Sequence, residues 1–363
     1  MNFLKNIFNQ SEAPIQSNQE FWNWFVKNEK GFFNTVKEHT DIEKKFFDKM
    51  SPKLAELKDG FFFLTGMLND NTAELVLTAD GIIKNFVFTE QLVSDAPKLD
   101  GWKFTALKPP METEKFEIKM HGYEFGAQNI HFYANENPYE PDEIDITVVH
   151  DELNADNEKE ISAGVFIFLD NYLGELNFAT MIDNIIVIGK DNAEKELVPI
   201  EKLKAFLTWR EKEFVEKYEG LRHNTDEDEY SSFEAESTDG LPYLALINMG
   251  LLNWDAKASH PWLMVIEIKY DGRQNSGLPD QETFELLDEI EDRLMAHLSA
   301  EHGYLNVGRE TGGDLRVIYF ACKEFRKPAK TVHDIQKEYA GRLELSYEIF
   351  KDKYWKSLSR YEG

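Results

Sequence analysis

Apolar residues recur through the first sixty positions at a spacing that gathers them on one face of a helix. Phe21, Trp24, Phe25, Phe32 and Val36 do so over 20–38, and Ile42, Phe46, Met50 and Leu54 over 41–58. Asp59-Gly60 ends the second run, and the chain turns β-rich. Residues 61–68 and 73–79 predict two strands about the Asn69-Asp70-Asn71 turn, with Leu75 and Leu77 on one face. A short helix at 89–95 and a strand at 102–107, closed by Pro109-Pro110, come next. Strands at 115–120, 129–134 and 143–149, a helix at 157–172 and a strand at 182–188 follow. Pro199 opens a helix at 200–218 with the stripe Ile200, Leu203, Phe206, Leu207, Phe214 and Tyr218, and Gly220 is its cap.

The stretch Arg222-His-Asn-Thr-Asp-Glu-Asp-Glu229 is polar and strongly acidic. It suggests a division into a flexible tail (1–19), an N-terminal α+β domain (20–220), an acidic linker (221–229) and a C-terminal domain (230–363). Strands at 230–236 and 241–249 flank Thr238-Asp239-Gly240, a hairpin signal. A strand at 262–270 puts Trp262, Met264, Ile266, Ile268 and Tyr270 on one face. The helix at 280–299 carries Phe284, Leu287, Ile290, Leu294 and Leu298, and its acidic front suits the helix dipole. Strands at 304–309 and 315–322 lead to a helix with Val332, Ile335 and Tyr339, capped by Thr331 with Asp334 and ended by Gly341. Leu343, Leu345, Tyr347 and Ile349 alternate through a last strand. A hairpin followed by β-α-β-β-α-β predicts an α+β protein of two domains, the second with a ferredoxin-like core.

The glycine cluster in Asn306-Val-Gly-Arg-Glu-Thr-Gly-Gly-Asp-Leu-Arg316 is the one feature that resembles a phosphate-binding loop. A loop of that kind needs a lysine after its last glycine and a helix beyond it. Asp314 and the β-branched and aromatic run Leu315 to Phe320 stand there instead. A hairpin turn fits, with Gly312-Gly313 at the positive φ angles. That loop would set Arg309 opposite Arg316, a like-charge pair that a carboxylate such as Glu310 or an anionic ligand must relieve.

Three segments carry a resemblance. His260-Pro-Trp-Leu-Met264 leads into the Ile290-Glu-Asp-Arg-Leu294 helix and then the Val307-Gly-Arg-Glu-Thr311 hairpin. With the upstream hairpin, about residues 222–350 resemble the bacterial domain-of-unknown-function family 695. The resemblance implies distant similarity in fold to the ribonuclease E inhibitor of the B type. It implies no chemistry.

Composition narrows the function. Lys and Arg number 40 against 67 Asp and Glu, a net charge of -27, which repels a phosphate backbone, so no nucleic-acid partner is expected. Cys322 is the only cysteine, which fits a reducing, cytoplasmic setting, and no apolar run reaches a membrane-spanning length. Phe3, Leu4, Ile7 and Phe8 could share a helical face within the tail. The nine histidines include no His-Glu-x-x-His, and His150-Asp151-Glu152 reads as a polar strand end, so neither metal nor cofactor is expected. Asp170 with Glu175 is the kind of carboxylate pair that 67 acidic residues produce by chance.

Strict alternation in the last domain puts Met264, Ile266, Ile268, Leu305, Val307, Ile318 and Phe320 towards the helices. Val265, Glu267, Lys269, Tyr304, Asn306, Val317 and Tyr319 then lie on an open face beside Glu344, Ser346 and Glu348. Arg309, Arg316, Tyr304 and Tyr319 are therefore the candidate binding residues. The expected function is a non-catalytic binding or regulatory module acting through a protein partner. The alternative is an enzyme with a polar site in the cleft between the domains.

Overall fold

The computed structural model describes residues 14–111, 116–221, 223–238 and 240–362. The apolar tail positions Phe3 to Phe8, and Arg222 and Asp239, lie outside the described residues. The chain divides into two compact units, Met1–Pro109 and Pro110–Gly363.

In the first unit, Ser17 caps helix α1 (Asn18–Glu38) by accepting the Glu20 N–H at 3.3 Å. The second run of helical spacing forms a π-helical turn, Glu43–Phe47, that continues into α2 (Asp48–Leu57). Strands β1 (Phe62–Asn69) and β2 (Thr72–Thr78) pair antiparallel. Helix α3 (Ile83–Ser94), longer than 89–95, carries the chain over to β3 (Trp102–Ala106), which lies parallel to β2. One face of this sheet packs on an aromatic core that includes Phe21, Trp22, Phe25, Phe32, Phe46 and Trp102.

The second unit contains two larger sheets. A short hairpin, β4 (Ile118–Met120) and β5 (Tyr123–Phe125), precedes β6 (Ile130–Asn135) and β7 (Asp145–His150). Helices α4 (Glu158–Leu173) and α5 (Glu175–Met181) then lead to β8 (Asn184–Gly189), parallel to β7. A two-residue β9 (Val198–Pro199) closes the four-stranded order β8-β7-β6-β9, ahead of α6 (Leu203–Tyr218). Phe132, Ile146, Val148, Phe168, Leu169 and Leu203 form its core.

The other sheet is built from β10 (Tyr230–Glu236), β11 (Pro242–Asn248), β12 (Trp262–Lys269), β13 (Tyr304–Gly312), β14 (Leu315–Cys322) and β15 (Glu344–Lys351). Its order is β10-β11-β13-β14-β12-β15, and every pairing is antiparallel. The short α7 (Met249–Leu252) lies between β11 and β12. Helix α8 (Gln281–His297), capped by Asp280, follows β12, and α9 (Arg326–Glu338) follows β14. Helix α9 starts five residues before Thr331. Its cap is Glu324, whose carboxylate accepts the Arg326 and Lys327 N–H groups at 2.7 and 3.1 Å.

Segment 221–229 lies inside the second unit. Polar ties join the parts on its two sides. Asp183 bonds both Lys351 and Lys353 at 2.9 Å, and Asp142, which also accepts from Lys217 and Tyr218 on its own side, accepts from Tyr354 across the segment.

Candidate functional site

The turn after β13 is glycine-rich for a steric reason, and its loop is one residue further on than expected. Gly312 pairs with Leu315, so Gly313 (φ 59) and Asp314 (φ 65) form the two-residue loop. A Cβ at Gly312 would lie 2.5 Å from the Pro242 carbonyl of β11, so that glycine allows close approach of strands. Asp314 helps fold the loop after β12 against the turn. Its carboxylate accepts the Gly272 N–H at 2.9 Å, and its own N–H donates to Gly277 O at 3.0 Å.

This register moves Arg309 opposite Ile318 and sets Arg316 opposite Thr311. The two arginines nevertheless meet beneath α8. Arg309 Nη1 lies 2.7 Å from Glu291 Oε2 and 3.8 Å from Asp288 Oδ1. Arg316 Nη1 lies 2.7 Å from the same Asp288 oxygen, and its Nε donates to Thr311 Oγ1 at 3.1 Å. Phe284 offers its ring to the guanidinium, which is only 1% exposed. Carboxylates relieve the two cations, but they come from α8 and not from Glu310. A buried arginine is tolerated here because two anions and a hydroxyl satisfy it.

A β-bulge redirects the remaining candidates. Asn306 pairs with Phe320 and Gly308 with Tyr319, which leaves Val307 as the extra residue. Before the bulge Tyr304 and Asn306 point towards the helices, where Tyr304 donates to Glu324 at 2.7 Å and Asn306 to Glu291 at 3.3 Å. Leu305 and Val307 pack on the other face with Leu263, Tyr319 and Ala321, the reverse of the expected placement. Tyr304 and Tyr319 thus lie on opposite faces and cannot form one stacking platform. Nor is the second face open where Tyr319 stands. Trp355 and Leu358 cover it, and Glu310 accepts from Tyr319 at 2.7 Å and also from Arg360 and Tyr361. Burial pushes the Tyr319 phenol up, and Glu310 adds to the shift.

Beside the arginine cluster is a cleft of about 660 Å³ lined by His223, Asp226, Tyr230, Met295, Glu301 and Asn306, among others. The His223 Nε2 lies 3.0 Å from both oxygens of Asp228, and Asn248 donates to Asp228 at 2.8 Å. Burial raises the Tyr230 phenol, and the nearby Asp228 and Glu291 carboxylates reinforce the effect. A smaller pocket, about 270 Å³, lies where the parts before and after 221–229 meet, with Glu143, Asp183, Lys351, Lys353 and Lys356 in its wall. Burial pushes the Lys351 amine down, helped by the Lys353 ammonium and opposed by Asp183. Burial raises Glu143 against the pull of Lys356.

The other sequence candidates do not converge on either site. His150 is buried at its strand end, with ring nitrogens on Glu124 O and the Glu152 N–H, and Glu175 is buried at the start of α5. Among the described residues no three His, Cys, Asp or Glu side chains are grouped to hold a metal ion. The carboxylates at the centre of the cluster went unread in the sequence, although Glu291 left a signal. It lies four residues after Leu287 and three before Leu294, within the buried stripe of α8.

The fold and these sites define a mixed helix-and-strand protein whose largest sheet carries internally paired charges under one helix. Residues 232–361 match the sequence model of a family of unknown function (DUF695), which covers the six-stranded sheet from β10 onward. No curated protein and no solved structure matches the chain.

Proposed function

We propose that the second unit is a non-catalytic module that binds a basic segment of a protein partner in the cleft beside α8. The carrying observation is the lining of that cleft. Asp226 and Glu301 line it, Tyr230 is half exposed at its wall, and His223, the one basic side chain among the described residues of the lining, is held by Asp228. An arginine or lysine entering there would meet carboxylates and an aromatic face. The same lining repels phosphate, so the reading includes no nucleic-acid partner, and it suits a cytoplasmic protein. The strand order β15-β12-β14-β13, with α8 and α9 as crossovers, supports a ferredoxin-like core extended by the β10–β11 hairpin. It is compatible with the likeness to the ribonuclease E inhibitor.

Calorimetric titration with an arginine-rich peptide at low salt tests this. Binding should weaken as salt rises and fall at least fivefold in Glu301→Lys, while a glutamate-rich peptide and single-stranded RNA should not bind. Equal affinity for basic and acidic peptides would overturn the reading.

An enzyme remains the second reading, favoured by the Lys351 pocket. There an amine pushed towards its neutral form stands near a carboxyl group pushed towards its protonated form. Such an amine could add to a carbonyl carbon, with loss of water, to form an imine. Borohydride trapping of small aldehydes on Lys351, compared with Lys351→Arg, decides this reading.

A further inference from the structure

The first unit contains a strand unlike the outer strands of the six-stranded sheet. Among the described residues β1 is an edge strand, bonded only to β2. Phe62, Leu64 and Leu68 are 49%, 50% and 49% exposed, and Gly66 is exposed between them. From Phe61 to Asn69 there is no charged side chain, in a chain that is 29% charged. Unpaired edges are ordinarily blunted by charge, proline or a covering element. The six-stranded sheet follows that rule, with Glu234 and Glu236 on β10 and Glu344 and Glu348 on β15.

We propose that β1 is an interface between two copies of this chain, pairing antiparallel with β1 of the second copy about a two-fold axis at Thr65. Three features select a copy over another partner. A two-fold axis at Thr65 places Leu64 opposite Gly66 and brings Phe62 next to Leu68, the residue bulged between Met67 and Asn69. Phe62, Leu64 and Gly66 share one sheet face, so the two apolar stripes merge into one. The strand carries no charge that would recognise a basic or acidic stranger. It is also an edge on which two chains of net charge -27 can meet without opposing like charges directly. Pairing through one strand buries less than the roughly 1,600 Å² of a standard interface, so association is weak and depends on concentration.

The inference is independent of the acidic cleft, which lies in the other unit. Sedimentation velocity of the full chain, from about 1 to about 300 µM, reads it out. Dimer should grow with concentration and with salt, because salt screens the repulsion between two acidic chains. Leu64→Lys should weaken association at least tenfold, whereas Leu244→Lys, exposed on the interior strand β11, should leave it unchanged. Register is read by disulfide formation, since the native Cys322 is buried. A Cβ at Gly66 meets nothing within 4 Å, so Gly66→Cys should fold normally. Mixed with Leu64→Cys, it should give the cross-linked heterodimer faster than either variant links to itself. A chain that stays monomeric throughout overturns the proposal. So does association that survives Leu64→Lys, or association that weakens with salt, which would point to a surface held by charge.

Discussion

The two units solve the same packing problem with different chemistry. The three-stranded sheet lies on rings. Trp22 meets Phe25 edge-on with centroids 5.6 Å apart, and Phe25 meets Trp102 at 5.1 Å. The six-stranded sheet inserts Arg316, Arg309, Asp288 and Glu291 between its strands and α8, and ties its other face down through Glu310. Ring packing is indifferent to pH and salt, whereas buried ion pairs hold only while each partner is present and ionised. The second unit should therefore respond to loss of a single partner and to acid in ways the first does not.

The sharpest break comes from removing one partner. Arg316→Ala should cost about 3–5 kcal/mol in urea unfolding of the second unit, because Asp288 and Glu291 lose a buried cation. Replacing Arg309, Arg316, Asp288 and Glu291 together by Met, Met, Leu and Leu should cost less than half as much. If the quadruple variant is the less stable of the two, the charges contribute more than mutual satisfaction.

Glycines extend the comparison to the backbone. Gly312→Ala should cost about 2 kcal/mol or more through the contact with the Pro242 carbonyl, and Gly313→Ala about 1–2 kcal/mol through left-handed strain. Gly66→Ala in β1, where a Cβ has open space, should change stability by less than about 0.5 kcal/mol. Thermal melts of the three variants rank them.

Acid should separate the units next. Burial raises Glu310, but hydrogen bonds from Tyr361, Arg360 and Tyr319 outweigh it and hold the carboxyl below its usual range. Asp142 is likewise lowered, burial being outweighed by Lys217, Tyr218 and Tyr354. A carboxylate lowered in the folded state stabilises fully above its unfolded value, about 4.3 for Glu, and the benefit is lost as pH falls through the folded value. The second unit should lose stability below about pH 4, with a shallower loss in Glu310→Gln. Denaturant midpoints at pH 7, 4 and 3 provide the check.

The smallest effect concerns 221–229. A 222–363 fragment should melt cooperatively but several degrees below 110–363, because it lacks Asp142 and Asp183 as partners for Tyr354, Lys351 and Lys353. Equal melting temperatures would show those ties to be worth nothing measurable.

Much of the fold was legible because periodicity survives where one face is buried. The stripe of α8 and the alternation of β12 and β15 follow from apolar spacing alone, and the pairing of β13 with β14 from the glycine turn between them. The cluster was legible in part. Arg309 and Arg316 stood out as a possible clash, and they do share a site, but both the register and the supplier of the anions differ. Two local events without an apolar signature account for the misplacements. Asp314 took a left-handed position, which moved the loop by one residue, and Val307 bulged, which exchanged the faces of Tyr304 and Leu305. The pairing of His223 with Asp228 was not legible, because an acidic run reads as solvated until a tertiary partner such as Asn248 is known.

The short helical turn Lys356–Tyr361 gives assembly of the sheet a direction in time. On the ribosome it emerges after every strand it helps to cover, so the apolar face of Leu263, Leu305, Val307 and Ala321 exists before Trp355 and Leu358 are available to close it. During that interval the nascent sheet carries its greatest risk of self-association, and arrival of this turn ends it.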